Sequence, residues 1–285
     1  MSLLRGQVVA TYSRRYTVDT AEGPLSCLAL GRKQTIVCGD RVEVSHSGDG
    51  GVIEQVLPRD TLLYRSDAFK TKAVAANVDQ LGVVVAARPS FSLELVQRCL
   101  LAAEDQGIAG LLVLNKIDLP ETDAARGRLE ALVRLGYPLV ELSAKADAEP
   151  LAARLAGHTT LLIGQSGMGK STLVNALFPD ADAATGDWSI ALDSGRHTTT
   201  HTRLYRAGDA ALIDSPGLQE FALQHLDAHT LAHAFVEFRP YLGQCRFRDC
   251  RHDAEPGCRL REAVAEGRIA AERLALFQTL RQAQH

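Results

Sequence analysis

Residues 164 to 171 read Gly164-Gln165-Ser166-Gly167-Met168-Gly169-Lys170-Ser171, a match to G-x-x-x-x-G-K-[ST]. An apolar run, Thr159 to Ile163, precedes it and a helical pattern, Lys170 to Phe178, comes after it, which is the setting the motif needs. Glycines let backbone N–H groups wrap phosphate oxygens, and the positive end of the next helix adds its field. Lys170 is placed to reach β- and γ-phosphates and Ser171 to ligate Mg2+, with Thr172 in the same nucleotide-binding set. Asp214-Ser215-Pro216-Gly217 ends a second apolar run, Ala210 to Asp214. A carboxylate there suits a Mg2+ held through water, and the Gly217 amide suits a γ-phosphate contact. D-x-P-G alone is an ordinary β-turn, and its position after the phosphate loop is what gives it weight. The loop by itself specifies only a nucleoside triphosphate.

The base is read elsewhere. Asn115-Lys116-Ile117-Asp118 closes the run Gly110 to Leu114, and Ser143-Ala144-Lys145 closes Pro138 to Leu142. The pair resembles the N-K-x-D and S-A-K guanine elements of the TRAFAC GTPases. Asp118 can accept from the guanine N1–H and exocyclic amine, a donor pair that adenine lacks. Lys116 and Lys145 would cover the ring faces, and the Ala144 amide could donate to O6. Both elements precede the phosphate loop, the reverse of the common order. A parallel sheet tolerates this, because its site is assembled from strand-end loops whatever their order in the chain.

Cys245, Cys250, His252 and Cys258 give C-x4-C-x-H-x5-C. Three thiolates and an imidazole make a closed tetrahedral zinc shell, structural in type because no position is left open. Arginines 246, 248, 251, 259 and 261 outnumber Asp249, Asp253 and Glu255 in this stretch, a modest RNA footprint.

These residues need a frame to hold them. Short β-rich runs at Gly6 to Thr11, Tyr16 to Thr20, Leu25 to Leu30, Arg41 to Ser45 and Val52 to Leu57 predict a small barrel, with OB-like closure the most economical form and an SH3-like barrel close behind. After a basic, irregular stretch from Arg59 to Lys72, strands alternate with helical patterns at Leu93 to Asp105 and Ala124 to Leu135, which predicts a parallel sheet covered on both faces. A strand pair, His201 to Arg206 and Ala210 to Asp214, completes it, and the remainder reads as helical, closing with an amphipathic helix from about Leu260 to Gln284. The expected architecture is therefore multidomain: an OB-like β-barrel at 1–60, a circularly permuted α/β GTPase domain at 61–222 and a mostly helical zinc-binding domain at 223–285.

The 285 residues carry a net charge of −3, with 46% hydrophobic and 23% charged residues, an ordinary globular composition whose nucleic-acid contacts must be local. Six cysteines, half of them in the C-terminal cluster, do not form a secreted disulfide framework. With no membrane span or targeting segment in the pattern, the chain reads as soluble and cytoplasmic, and a monomer is the working expectation for its oligomeric state, which the sequence itself does not give.

The permuted order, the preceding barrel, the C-terminal Cys/His cluster and Gly195-Arg196-His197-Thr198-Thr199-Thr200 together resemble the circularly permuted small-ribosomal-subunit GTPase family, RsgA or YjeQ, over essentially the whole chain. That resemblance implies a GTPase of late 30S maturation, bound to the subunit and its rRNA and cycling between GTP and GDP. It implies slow hydrolysis stimulated by the subunit, Mg2+ with the nucleotide and one structural Zn2+. By family alignment Thr199 supplies the second Mg2+ ligand, with Thr198 and Thr200 open alternatives. Leu218 stands where a Ras-like enzyme carries a water-orienting glutamine, so the catalytic group must come from elsewhere, and His197 is the family-like candidate. The alternatives are a GTP-gated RNA-binding module with incidental hydrolysis and, less favoured, a metallochaperone-type GTPase or a kinase.

Overall fold

The computed structural model describes residues 3–12, 15–29, 35–48, 50–66, 71–179, 202–215 and 221–283. Five strands, β1 (Leu4–Tyr12), β2 (Arg15–Thr20), β3 (Gly23–Ala29), β4 (Arg41–Ser47) and β5 (Gly50–Val56), run in the order β1-β2-β3-β5-β4 and close through a β1–β4 pairing. Only β3–β5 is parallel, and the closed five-stranded circuit is the OB-like form, which settles the choice between barrel types. Val8, Val18, Val42, Val44 and Ile53 point inward as the period of two requires and form a separate small core.

An ion pair between a buried carboxylate and a partly exposed arginine holds the barrel's exit. Arg59 donates from Nε and a terminal nitrogen to the two oxygens of fully buried Asp40, at 2.6 and 2.8 Å. The Gly39 carbonyl next to it accepts from Gln7 and Asn77. The stretch read as irregular contains a hairpin, β6 (Leu62–Ser66) with β7 (Thr71–Ala76), whose strands pair with each other.

The α/β unit keeps to the expected alternation: β8 (Gln80–Ala86), α1 (Leu93–Asp105), β9 (Ala109–Asn115), α2 (Thr122–Arg134), β10 (Leu139–Leu142), α3 (Glu149–Leu155), β11 (Thr159–Ile163), α4 (Lys170–Leu177), β12 (Thr202–Ala207) and β13 (Ala210–Asp214). Helix α3 is an addition to the sequence reading. Every residue of β8 is buried, as a central parallel strand covered on both faces demands. The strand order is β10-β9-β8-β11-β13-β12, parallel except for β12. Chain direction through the sheet reverses between β8 and β11, which makes that crevice the topological switch point where a ligand belongs. At its far edge β12 pairs with β1, so the barrel's first strand extends the sheet.

The C-terminal region is helical: α5 (Ala228–Ala234), a 3-10 turn at Arg239–Tyr241, α6 (Arg259–Ala265) and α7 (Ala271–Gln282). The single closing helix expected from Leu260 is two helices. Gly267 takes φ +72, and Gly267 N–H and Arg268 N–H turn back to Val264 and Ala263 carbonyls, ending α6 in the manner glycine permits. Phe235, Phe238 and Phe277 pack stacked and edge-on, in one hydrophobic core with the α/β unit. Arg273 on α7 bonds Glu237 at 2.6 Å with both side chains only 7% exposed, donates to Gln97 of α1 and lies over the Phe235 ring. Among the described residues no helix is long and apolar enough to cross a membrane.

Removing Arg273 strands a buried carboxylate, so Arg273→Ala should lower unfolding free energy by about 3–5 kcal/mol. Loss of the exposed Arg134–Glu130 pair in Arg134→Ala should cost under about 1 kcal/mol. Urea unfolding of both variants, monitored by far-UV dichroism, measures the contrast.

Candidate functional site

Two sets of loops meet at the carboxyl edge of the sheet. The first leaves β11 as the phosphate loop and enters α4 at Gly169, whose φ is +91. A Cβ there would lie 2.4 Å from Asn115 Nδ2, so both the conformation and the close approach require glycine. The second set leaves β9 and β10. Asn115, buried at the end of β9, connects all three loops: its Nδ2 donates to Met168 O at 3.0 Å, and its Oδ1 accepts from Lys116 N and Ala144 N at 2.8 and 3.0 Å. Lys116, in the left-handed region at φ +62, donates from Nζ to the carbonyls of Arg88 and Gly167. Ser143 Oγ donates to Asp118 Oδ1 at 2.6 Å. That bond, with lesser help from Lys145 and Lys116, holds the Asp118 carboxyl below its usual range, ionised and ready to accept two donors. Ile117 is exposed beside it.

The phosphate side carries opposite charges buried close together. Lys170 Nζ donates to Gly164 O at 2.8 Å, and burial lowers its affinity for a proton. Asp214, at the end of β13, is buried and raised to about 6 by desolvation, against the opposing pull of Lys170. Among the described residues its Oδ1 has no hydrogen-bond partner. A buried orphan carboxylate oxygen near a phosphate loop fits a site for a hydrated dication, and Ser171, exposed at the start of α4 beside Thr172, offers the hydroxyl. Gln165, Ser166 and Met168 complete the loop. Gly217, His197 and Thr199 lie outside the described residues, so the structure neither adds to nor subtracts from their expected roles.

The Cys/His cluster assembles as the spacing predicts. Cys245, Cys250, His252 and Cys258 bring their ligand atoms within 4.8 Å of one another. His252 Nδ1 is 3.6 Å from Cys245 Sγ and 3.4 Å from Cys258 Sγ, close to the edges of a tetrahedron with bonds of about 2.0–2.3 Å. Burial pushes the Cys250 thiol up to about 12 and lowers His252, preferences that a bound dication would invert for the thiols and reinforce for the imidazole. Outer contacts orient the set: Gln278 on α7 donates to His252 O, and Arg259 N–H points to Cys245 Sγ. The donor chemistry therefore fits zinc.

Sequence reasoning missed the loop between β8 and α1. Arg88 supplies a carbonyl to Lys116, Pro89 lies against Gly167, and Ser92 bonds Gln165. No local motif marks this loop: it leaves β8, the strand that borders β11 at the switch point, an adjacency that only the folded sheet reveals.

A family model described as RsgA GTPase matches residues 56–224. A Nitrosomonas europaea protein named small ribosomal subunit biogenesis GTPase RsgA is 54% identical over 284 residues, covering 97% of this chain and 90% of that protein. A Neisseria meningitidis protein of the same name is 53% identical over 275 residues, covering 95% and 90%. Among solved structures, YjeQ from Thermotoga maritima aligns with a TM-score of 0.75 and 32% identity over 99% of each chain. YloQ, described as a circularly permuted GTPase, aligns with a TM-score of 0.71 and 25% identity over 99% of this chain and 95% of its own.

Below pH 6 a raised Asp214 is protonated, and a dication must displace that proton. Mg2+-dependent GTP affinity should therefore fall as pH drops through about 6, approaching tenfold per unit. Titrating Asp214→Asn in parallel isolates this carboxyl from the nucleotide's own ionisation, because the variant should lack the protein's share of the slope. In Asp118→Asn the acceptor becomes a donor, so preference should move from GTP to the xanthine nucleotide, whose C2 oxygen accepts. Competition between the two triphosphates reads the change.

Proposed function

The chain belongs to the RsgA GTPase family, and on that premise we propose that it is a GTP hydrolase that binds the small (30S) ribosomal subunit and acts in its late maturation. The observation that carries the nucleotide reading is Asn115, one buried side chain bonded to the phosphate loop and to both guanine loops. Such a three-way tie makes sense when base and phosphates belong to one ligand. In this reading Asp118, Ser143, Ala144 and Lys145 take guanine, the loop from Gly164 to Thr172 takes the phosphates, and Gly217 contacts the γ-phosphate. Ser171 and Thr199 hold Mg2+, which stabilises charge on the phosphates when bound, with Asp214 behind it through water. His197 orients the attacking water, because Leu218 cannot. The working domain division is 1–60, 61–222 and 223–285, in a protein acting as a monomer.

Contact with rRNA is assigned to the zinc region. Its tip exposes Arg246, Phe247, Arg248 and Arg251, with Phe247 43% exposed and the Arg246 guanidinium 5.5 Å from its ring. An aromatic face beside arginines suits an unpaired base and its phosphate. The Cys3His set holds one Zn2+ that shapes this tip. Cys250→Ser should release the metal, detected by elemental analysis, and loosen this domain first.

Single-turnover GTP hydrolysis measured with and without 30S subunits tests the function. Stimulation is expected, and His197→Ala should lower the stimulated rate by roughly a hundredfold or more at unchanged GTP affinity. A rate indifferent to subunits would point instead to a GTP-gated RNA-binding module.

A further inference from the structure

The phosphate loop presents backbone N–H groups to its ligand, which leaves the side chain at its first variable position, Gln165, free for another task. Its Oε1 accepts the Ser92 backbone N–H at 2.6 Å, across 73 residues of chain. Only the amide oxygen can accept, so the donor also fixes the orientation of the amide. Ser92 is the N-cap of α1, and its Oγ accepts from Leu95 N in the first turn. One residue thus ties the phosphate loop to the start of the helix on which the C-terminal region rests.

Two neighbouring contacts press the same loops together. A Cβ on Gly167, at φ +80, would lie 3.0 Å from Pro89 Cγ, so the backbone there lies close against the proline. Lys116 Nζ bridges Arg88 O and Gly167 O at 2.8 and 2.7 Å. Gly167 therefore has a steric contact and a charge-assisted hydrogen bond, whereas the side chain of Gln165 is the tie between the entry of the loop and Ser92.

We infer that Gln165 is a positioning residue for phosphate binding: by anchoring on Ser92 it holds the rising limb of the phosphate loop in its wrapped shape before nucleotide arrives. The inference rests on the nucleotide-binding reading above. A loop already shaped loses less entropy on binding, and the benefit reaches GDP and GTP alike because the wrapped phosphates are common to both.

Gln165→Met keeps length and flexibility and removes the acceptor. Stopped-flow binding of fluorescent GDP and GTP to the full-length zinc-loaded protein should show both weakened by the same factor, roughly two- to tenfold, the range one hydrogen bond supports. In steady-state hydrolysis the loss should fall more on KM than on kcat. Ser92→Ala removes the helix cap and keeps the backbone N–H that Gln165 uses, so it separates loop positioning from the stability of α1. Nucleotide affinity in Gln165→Met equal to wild type would overturn the inference, as would an equal loss in Ser92→Ala, which would trace the effect to the helix. Failure of the wild type to bind GTP at all would instead overturn the nucleotide reading.

Discussion

The parallel ladder between β8 and β11 joins two parts of the chain about eighty residues apart, and the site exists only because their register is fixed. Thr160 sits opposite Gln80 and Ile163 opposite Val83. Two details hold that alignment. Thr160 Oγ1 donates to Gln80 Oε1 at 2.9 Å with both residues buried, a bond that pairs only in this register. Gly82 lets Leu162 approach to where a Cβ would meet its methyl at 2.6 Å. A shift of one residue would move the phosphate loop by about 3.3 Å against the guanine loops, beyond reach of the Asn115 bonds. Permutation is tolerated because this ladder, and not chain order, brings the loops together.

The same permutation determines where the chain goes after Asp214. It does not return to the sheet and runs into α5 and the aromatic core over α1. Its attachment is firm. A buried Arg273–Glu237 pair, an Arg239–Glu104 pair reaching α1 and three phenylalanine rings make the C-terminal region an extension of the α/β core. Two connections link the phosphate side of the site to the C-terminal region, the chain itself after Asp214 and helix α1, whose start is bonded to the phosphate loop.

The sequence revealed most where chemistry restricts residue type. The phosphate loop, both guanine elements and the Cys/His spacing are local patterns, and each sits on the strand end or loop that its setting predicts. The β6–β7 hairpin was hidden because its residues pair with each other inside a stretch of mixed charge, with no clean alternation. The break at Gly267 was hidden because one glycine in a helical pattern is usually tolerated. Nothing in the local sequence sets Arg273 and Glu237 apart from surface charges, since only the folded chain brings them together, with the guanidinium over the Phe235 ring. Ser92 and Gln165 likewise belong to segments whose proximity comes from the sheet and not from spacing.

The β1–β12 pairing carries a further meaning for how the chain is made. Synthesis runs from the N-terminus, so the barrel strand that will border the sheet emerges before any strand of the sheet itself. Its outer edge presents unpaired backbone groups until Thr202 and Arg203 arrive opposite Thr11 and Ala10. Among the described residues the strand pairing with the greatest separation in sequence is thus between a segment made early and one made late. Closing it covers part of the β12 edge with a barrel strand, so the barrel is a neighbour of the sheet as well as a separate module.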